Sequence, residues 1–343
     1  MIEIDGSHGE GGGAILRNAL ALSAALGKPV RVFDIRKGRG EPGLKLQHLT
    51  AVRALQEVCG AEVKGAEKGA GEVSFSPGKI AGGKFRFDVG SAGSITLVLQ
   101  ALLPALAFAE KESEIEIIGG THVNWSPPFE YFHAVLLPQL RRMGCEVGIE
   151  LLRNGWYPKG GGAVRARVKP AGALRPIRLV ERDGLVRIRG VSIASNLPEH
   201  VAKRQADAVK EVFPQAEIEV RNSAAASPGS AVVLWAEFSG GAILGASALG
   251  ERGKPAEKVG KEAAEALGKE IAGGAAVDAH LADQLLVYMA LAEGRSEILA
   301  HGLSGHARTN VWLIEQFIKR NFEIRESGEG NHTVAIEGAA LGK

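Results

Sequence analysis

The feature that most constrains this chain is a unit of order that recurs along it. Ile2-Glu-Ile-Asp5 alternates as a strand does, Gly6 to Gly13 forms a polar glycine-rich turn, and Ala14 to Leu26 follows with helical apolar spacing. The order returns at Phe85 to Val89, Gly90-Ser-Ala-Gly-Ser94 and Ile95 to Ala109, and late in the chain Ala275 to Asp278 precedes the apolar helix His280 to Leu291. The ends of the units correspond as well. Leu55 to Gly60 closes a helix before Ala61-Glu-Val63 and the return strand Glu72-Val-Ser-Phe75. Leu140 to Gly144 leads likewise into Cys145-Glu-Val147 and Ala163 to Arg167, and Ile314 to Asn321 into Phe322-Glu-Ile324 and His332 to Ile336. Each unit therefore reads strand, turn, helix, helix, hairpin, and the spacing predicts an α/β chain of the α+β type with three related modules of about 80 residues.

The third unit is interrupted. Strand-like Arg187-Ile-Arg189, Ala216 to Val220, Val232 to Phe238 and Ala242 to Gly245, with helices over Glu199 to Val212 and Pro255 to Leu267, form a complement of their own. The economical division is a body over residues 1–182 and 275–343 with a small α/β domain, 183–274, inserted in the third module.

Composition excludes several classes. Net charge is +2, from 41 basic and 39 acidic residues, so an anion site has to come from local clustering. Aromatics are only 5% of the chain, which argues against wide base-stacking surfaces. The N-terminus has no basic and apolar leader, and the most apolar run, Ile95 to Ala109, is too short to span a bilayer. Cys59 and Cys145 alone make neither a disulfide framework nor a zinc site; both fall at helix-to-strand junctions, where small buried residues pack, and they fit a reducing cytoplasm.

Local clusters do carry chemistry. Gly9-Glu-Gly-Gly-Gly13 precedes a helix N-terminus, where free backbone amides and the helix dipole favour an anion, although a tight turn needing positive φ has the same composition. It is not the Walker pattern, since no Lys-Ser/Thr pair follows. Arg17 sits one turn into an otherwise apolar helix and needs a carboxylate or a phosphate. Arg36, Lys37 and Arg39 concentrate in one loop, either a phosphate grip or a solvated basic segment. His306, in Ser304-Gly-His-Ala-Arg-Thr-Asn310, lies at a helix start among hydroxyl, guanidinium and amide groups, as an activated nucleophile does and as many structural histidines also do. His48 and His122 have no comparable setting, and His8, at the border of the first turn, is open between the two readings.

These motifs together resemble the RNA 3′-terminal phosphate cyclases. The residues that carry the resemblance are Gly9 to Gly13 with Ile15-Leu-Arg17, Ile35-Arg36 through Arg39 and Pro42-Gly-Leu44, Gln47-His-Leu-Thr50, and Gly90 to Ser94 with Gln100. Tyr157-Pro-Lys-Gly-Gly-Gly162, His280-Leu-Ala-Asp-Gln284, and Ser304-Gly-His306 with Thr309-Asn310 complete it, in order over essentially the whole chain. The resemblance implies three repeated modules with an inserted domain, and an ATP-dependent closure of an RNA 3′-phosphate to a 2′,3′-cyclic phosphate through a covalent adenylate on His306. It places Gln100, His280, Leu281, Ala282, Asp283 and Gln284 in the nucleotide pocket, with Pro127 and Pro128 as an opposite wall. Glu10 would bind a divalent cation, Mg²⁺ or Mn²⁺, and Arg17, Arg36, Arg39 and Gln47 would grip ATP phosphates and the RNA end. The partner would be an RNA ending in a 3′-phosphate, with no membrane involved. Relatives in ribosome assembly without the nucleophile, and enolpyruvyl transferases of similar plan, are the alternatives. The physiological RNA and the oligomeric state are not legible here.

Overall fold

The computed structural model describes residues 1–341. The fold is mixed α/β. Its elements begin with β1 (Ile2–Asp5), α1 (Gly13–Leu26), β2 (Val30–Phe33), α2 (Leu46–Cys59), β3 (Glu62–Lys64) and β4 (Val73–Ser76). The second set is β5 (Lys84–Asp88), α3 (Ile95–Leu106), β6 (Ser113–Gly119), α4 (Phe129–Tyr131), a π-helical turn Phe132–Leu136, α5 (Leu137–Arg142), β7 (Glu146–Arg153) and β8 (Gly162–Lys169). Then follow β9 (Arg178–Leu179), β10 (Leu185–Ser195), α6 (His200–Val212), β11 (Glu217–Ser223), β12 (Gly229–Phe238), β13 (Ile243–Leu249) and α7 (Ala256–Ala272). The last are α8 (Ala279–Leu291), β14 (Arg295–His301), α9 (Gly305–Phe317), β15 (Glu323–Glu326) and β16 (Asn331–Glu337).

These strands form four-stranded sheets of orders β1-β2-β4-β3, β5-β6-β8-β7, β15-β16-β14-β9 and β11-β10-β12-β13. In each, one outer pair is parallel and the remaining ladders are antiparallel. The parallel pairs require crossovers, which α1, α3 and α6 supply in three of the sheets. Sheet faces alternate accordingly: in β6, Ser113, Ile115, Ile117 and Gly119 are buried while the residues between them are half-buried. The helices pack on one another, α1 against α2, α3 and α9, and α8 against α9 and α3. That packing collects the N-termini of α1, α2 and α9 at one place.

Two sequence expectations need correction. Each of the three units has a further strand between its helices, β2, β6 and β14, that the strand–helix–helix–hairpin reading omitted. Val30–Phe33 has four residues and follows α1 after three, so periodicity alone does not part it from the helix tail. Ala275 to Asp278 is not a strand: Val277 makes a single parallel bridge to Ala300, and Asp278 caps α8 by accepting from the amides of His280 and Leu281. Arg178–Leu179 lies parallel to Glu297–Ile298 on the same strand β14, so β14 is paired by segments from both sides of the 185–272 stretch. Among the described residues no helix is long and apolar enough to cross a membrane.

Candidate active site

The first glycine turn ends at the N-terminus of α1, whose N-cap residue is Gly12 and which receives no side-chain cap. α3, α8 and α9 are each capped by a side chain, from Ser94, Asp278 and Ser304. The first amides of α1 are thus left without the partner that a capping oxygen would give them.

Around that opening the long-range contacts of the chain converge. The amide of Glu10 donates to Thr309 Oγ1 at 3.2 Å, and that hydroxyl donates to the Gly305 carbonyl at 2.8 Å. A Cβ on Gly9, whose φ is 52°, would stand 2.4 Å from Thr309 Oγ1, and one on Gly305 would stand 2.2 Å from Glu10 Oε1, so turn and α9 approach closely at two glycines. Arg39 Nη2 donates to the Glu10 carbonyl at 2.6 Å and lies 3.7 Å from Glu10 Oε2. A Cβ on Gly12 would be 3.4 Å from Arg39 Nη2 and 3.9 Å from His306 Cε1. His306, the second residue of α9, is exposed.

His48 closes the turn from below. Its ring is buried, and a Cβ on Gly13 would sit 2.2 Å from Nε2. Nδ1 accepts the Lys45 amide at 3.1 Å, which assigns the proton of the neutral ring to Nε2. Burial, assisted by the charges of Arg17, Arg36 and Lys45, pushes the imidazole down to about 3. Sequence reasoning gave His48 no role; its one signal was membership of the Gln47-His-Leu-Thr50 motif.

The remaining candidates divide. Arg36 Nη1 donates to the carbonyls of Glu41 and Gly43 at 2.7 and 2.9 Å, and so shapes its own loop. Arg17 faces Asp283 across a cavity of about 30 Å³ also lined by Gln100, Gln284 and Tyr288. Its Nε is buried without a partner, and burial lowers the guanidinium to about 10, opposed by the Asp283 charge. Burial raises the Asp283 carboxyl, against the pull of His306, Arg17 and His280. Asn310 Nδ2 donates to the Asp283 carboxylate, and Asn18 Nδ2 donates to Asn310 Oδ1 at 2.8 Å, tying α1, α8 and α9 together.

Gln100 Nε2 donates to Gln284 Oε1 at 2.8 Å, and Gln284 Nε2 to the His280 carbonyl at 2.9 Å. Leu281 and Ala282 are buried in the core, while His280 is exposed with its ring edge-on to Tyr131 at 6.4 Å. Gln47 Oε1 accepts the Ser94 amide at 2.7 Å and so joins the start of α2 to the second glycine turn. Pro128 is buried and Pro127 half-buried; the Pro127 carbonyl accepts from Thr96 Oγ1 at 2.7 Å. His8 stacks on Trp312 of α9 with ring centroids 3.7 Å apart. Glu10 is the carboxylate beside His306, and among the described residues there is no cluster of three or more His, Cys, Asp or Glu that could hold a metal.

Residues 8–324 match the family described as RNA 3′-terminal phosphate cyclase. A curated relative of that name from Methanopyrus kandleri is 47% identical over 335 residues, covering 95% of both chains. Namesakes from Pyrobaculum neutrophilum, 46% identical over 98% of both chains, and Pyrococcus furiosus, 47% identical over 96% of this chain and 98% of that one, are similar as closely. The enolpyruvyl transferase NikO from Streptomyces tendae has a solved structure with a TM-score of 0.27 to this one at 17% identity, over 49% of this chain and 33% of that one, too slight a likeness to decide anything. The chain belongs to the RNA 3′-terminal phosphate cyclase family.

Proposed function

We propose that this cyclase-family chain uses ATP to convert the 3′-terminal phosphate of an RNA into a 2′,3′-cyclic phosphodiester, by way of an adenylate carried on His306. The observation that carries the reading is the exposed His306 ring beside Gly12, at an uncapped helix N-terminus that Arg39 and Glu10 flank.

The steps balance without an oxidant or a reductant. A ring nitrogen of His306 attacks the α-phosphorus of ATP; the P–N bond forms as the bond to pyrophosphate breaks. An oxygen of the RNA 3′-phosphate then attacks the same phosphorus, the P–N bond breaks, and the imidazole is released. The neighbouring 2′-hydroxyl attacks the activated 3′-phosphorus, loses its proton, and AMP leaves. Because nucleophile and electrophile share one ribose, the last step is intramolecular. A DNA end, lacking that hydroxyl, would stop at the adenylate.

The free α1 amides would hold phosphate oxygens, and Arg17, Arg39 and Gln47 would grip the ATP phosphates and the RNA end; Arg36 would contribute by shaping the loop that carries Arg39. Gln100, Asp283 and Gln284 would line the nucleotide pocket, with the exposed His280 ring against the base and Pro127–Pro128 opposite, while Leu281 and Ala282 would offer backbone only. A divalent cation fits Glu10, since such ions commonly take one protein carboxylate and fill their shell with phosphate oxygens and water. When bound, it would neutralise charge on the phosphates.

We also read the first three sheets as copies of one module, with the fourth, in residues 183–274, inserted into the third copy and 1–182 with 275–343 forming the body. The shared sheet order supports this division. The ribosome-assembly alternative lacks a nucleophile, and the exposed His306 weighs against it. Incubation with α-labelled ATP tests the proposal: acid-labile label should remain on the protein and vanish in His306→Ala. Label retained by that variant would overturn it.

A further inference from the structure

Among the large apolar side chains exposed in the described residues, two are aromatic: Trp125 at 97% and Tyr157 at 78%. A tryptophan so placed forgoes the gain of burying its large apolar surface. Trp125 also has a φ of 65°, a conformation that bulky residues rarely adopt. A bare ring on a strained backbone is a feature that the fold itself does not require.

Both rings lie at one end of the second sheet. Trp125 is in the loop that leaves β6, and Tyr157 in the loop between β7 and β8. The bases of the two loops are locked together. The Gly155 carbonyl accepts the amides of Thr121 and His122 at 2.9 and 3.3 Å, and the Gly155 amide donates to Thr121 Oγ1 at 2.9 Å. Beneath them the His122 ring stacks on Trp156 at 4.7 Å and bonds Glu130 Oε2 at 2.6 Å. The roots are thus rigid and buried while the tips stand in solvent.

The surroundings suit a nucleic-acid strand. Lys159 and Asn124 are exposed beside the two rings. The nearby Asp88 carboxylate is engaged by the Gly90 amide at 2.7 Å. The loops also abut the second glycine turn, and through it the RNA-end site. A Cβ on Gly160 would stand 2.5 Å from the Ser91 carbonyl oxygen. From Gln47, hydrogen bonds run to the Ser94 amide, then from Ser94 Oγ to Thr96 Oγ1 at 2.8 Å and on to the Pro127 carbonyl, two residues from Trp125.

We propose that Trp125 and Tyr157 form a stacking platform for bases of a single-stranded RNA upstream of its 3′-terminal nucleotide, with Lys159 meeting a backbone phosphate between them. This deepens the cyclase reading and rests on it. A ring stacks on any base, so the platform confers a preference for length, not for sequence.

The test uses the full chain carrying Trp125→Ala, Tyr157→Ala, both together, or Trp125→Phe. Substrates are a 3′-phosphorylated oligoadenylate of about ten nucleotides and the corresponding dinucleotide, chosen to be longer and shorter than a platform of a few bases. Each alanine is expected to raise KM for the longer RNA roughly 5- to 150-fold, the range of one lost stack. KM for the dinucleotide, and self-adenylation with ATP alone, should not move, and Trp125→Phe should keep most of the affinity. Binding of a fluorescently labelled ten-mer by anisotropy should weaken in parallel. Affinity and KM for the longer RNA within twofold of wild type in the double variant would overturn the platform, as would a change confined to self-association of the free protein. Absence of self-adenylation in the wild type would instead sink the cyclase reading, and the anisotropy arm would still decide whether these rings hold RNA.

Discussion

The turns that follow β1 and β5 occupy the same place in their sheets, between the first strand and the first helix, yet they end differently. After β5, Ser94 caps α3 by accepting the Leu97 amide at 3.3 Å, and Gln47 takes the Ser94 amide. The protein satisfies those groups itself. After β1, Gly12 offers α1 no capping oxygen, and the charged groups Arg39 and Glu10 stand beside the opening with His306. Glycine richness is common to both turns, so it does not make the site. What distinguishes them is whether a side chain of the chain already occupies the amides.

Four variants would break or sharpen that contrast. The largest effect is expected from His306→Ala, which should abolish self-adenylation. Because the ring is exposed, its melting temperature should stay within about 2 °C of wild type, as for other neutral surface changes. Next is Gly12→Ser, which would give the first turn the cap that the second possesses. Its Cβ has room, at 3.4 Å from Arg39 Nη2. We expect stability equal or higher by a few tenths of a kcal/mol, and adenylation lowered about tenfold, the worth of one displaced charge-assisted hydrogen bond; unchanged adenylation would show that these amides hold no phosphate. Ser94→Ala, the converse change, should cost about 1 kcal/mol in denaturant unfolding while leaving labelling by ATP intact. A parallel loss of labelling would mean that the second turn also handles the nucleotide.

The last effect, smallest at neutral pH and growing only in acid, concerns His48. Its folded-state value of about 3 lies below the ordinary 6.5, so the unfolded chain takes up a proton that the fold refuses. The stabilisation is complete above pH 6.5 and is lost as pH falls from there toward 3. His48→Gln should therefore flatten the acid limb of a stability-against-pH curve, by at most about 1.4 kcal/mol per pH unit. Identical limbs in the two proteins would remove His48 from that role.

The parts of the site that the sequence discloses are those whose groups cluster along the chain: Gly9 to Gly13, Arg36 to Arg39, and Ser304 to Asn310. How they meet is not disclosed, since the Glu10–Thr309 hydrogen bond joins residues 299 apart. A polar residue near the start of an amphipathic helix has no distinguishing pattern, so the sequence does not single out His48; only the fold seals it under Gly13. The buried His122–Glu130 pair, which Arg221 of β11 approaches at 3.4 Å, is not legible either, since a loop histidine and a helical glutamate eight residues on form no recognisable pattern. Composition counts rings without saying which ones the fold leaves bare, so the exposure of Trp125 and Tyr157 is not legible in the sequence. The elements between residues 185 and 272 are legible because their strands alternate and their helices are long and amphipathic, whereas four-residue β2 is too short to stand out.

The divided pairing on β14 has a consequence for biosynthesis. β10 to β13 with α6 and α7 pair only among neighbours in residues 185–272, so a nascent chain can complete that sheet while still attached to the ribosome. Arg178–Leu179, in contrast, waits for Glu297–Ile298, and α1 waits for α9. A polypeptide halted between Leu185 and Ala272 would already hold α1 and its glycine turn but not yet α9. The contacts that fasten the first glycine turn to α9 thus form late in translation, after both glycine turns are made.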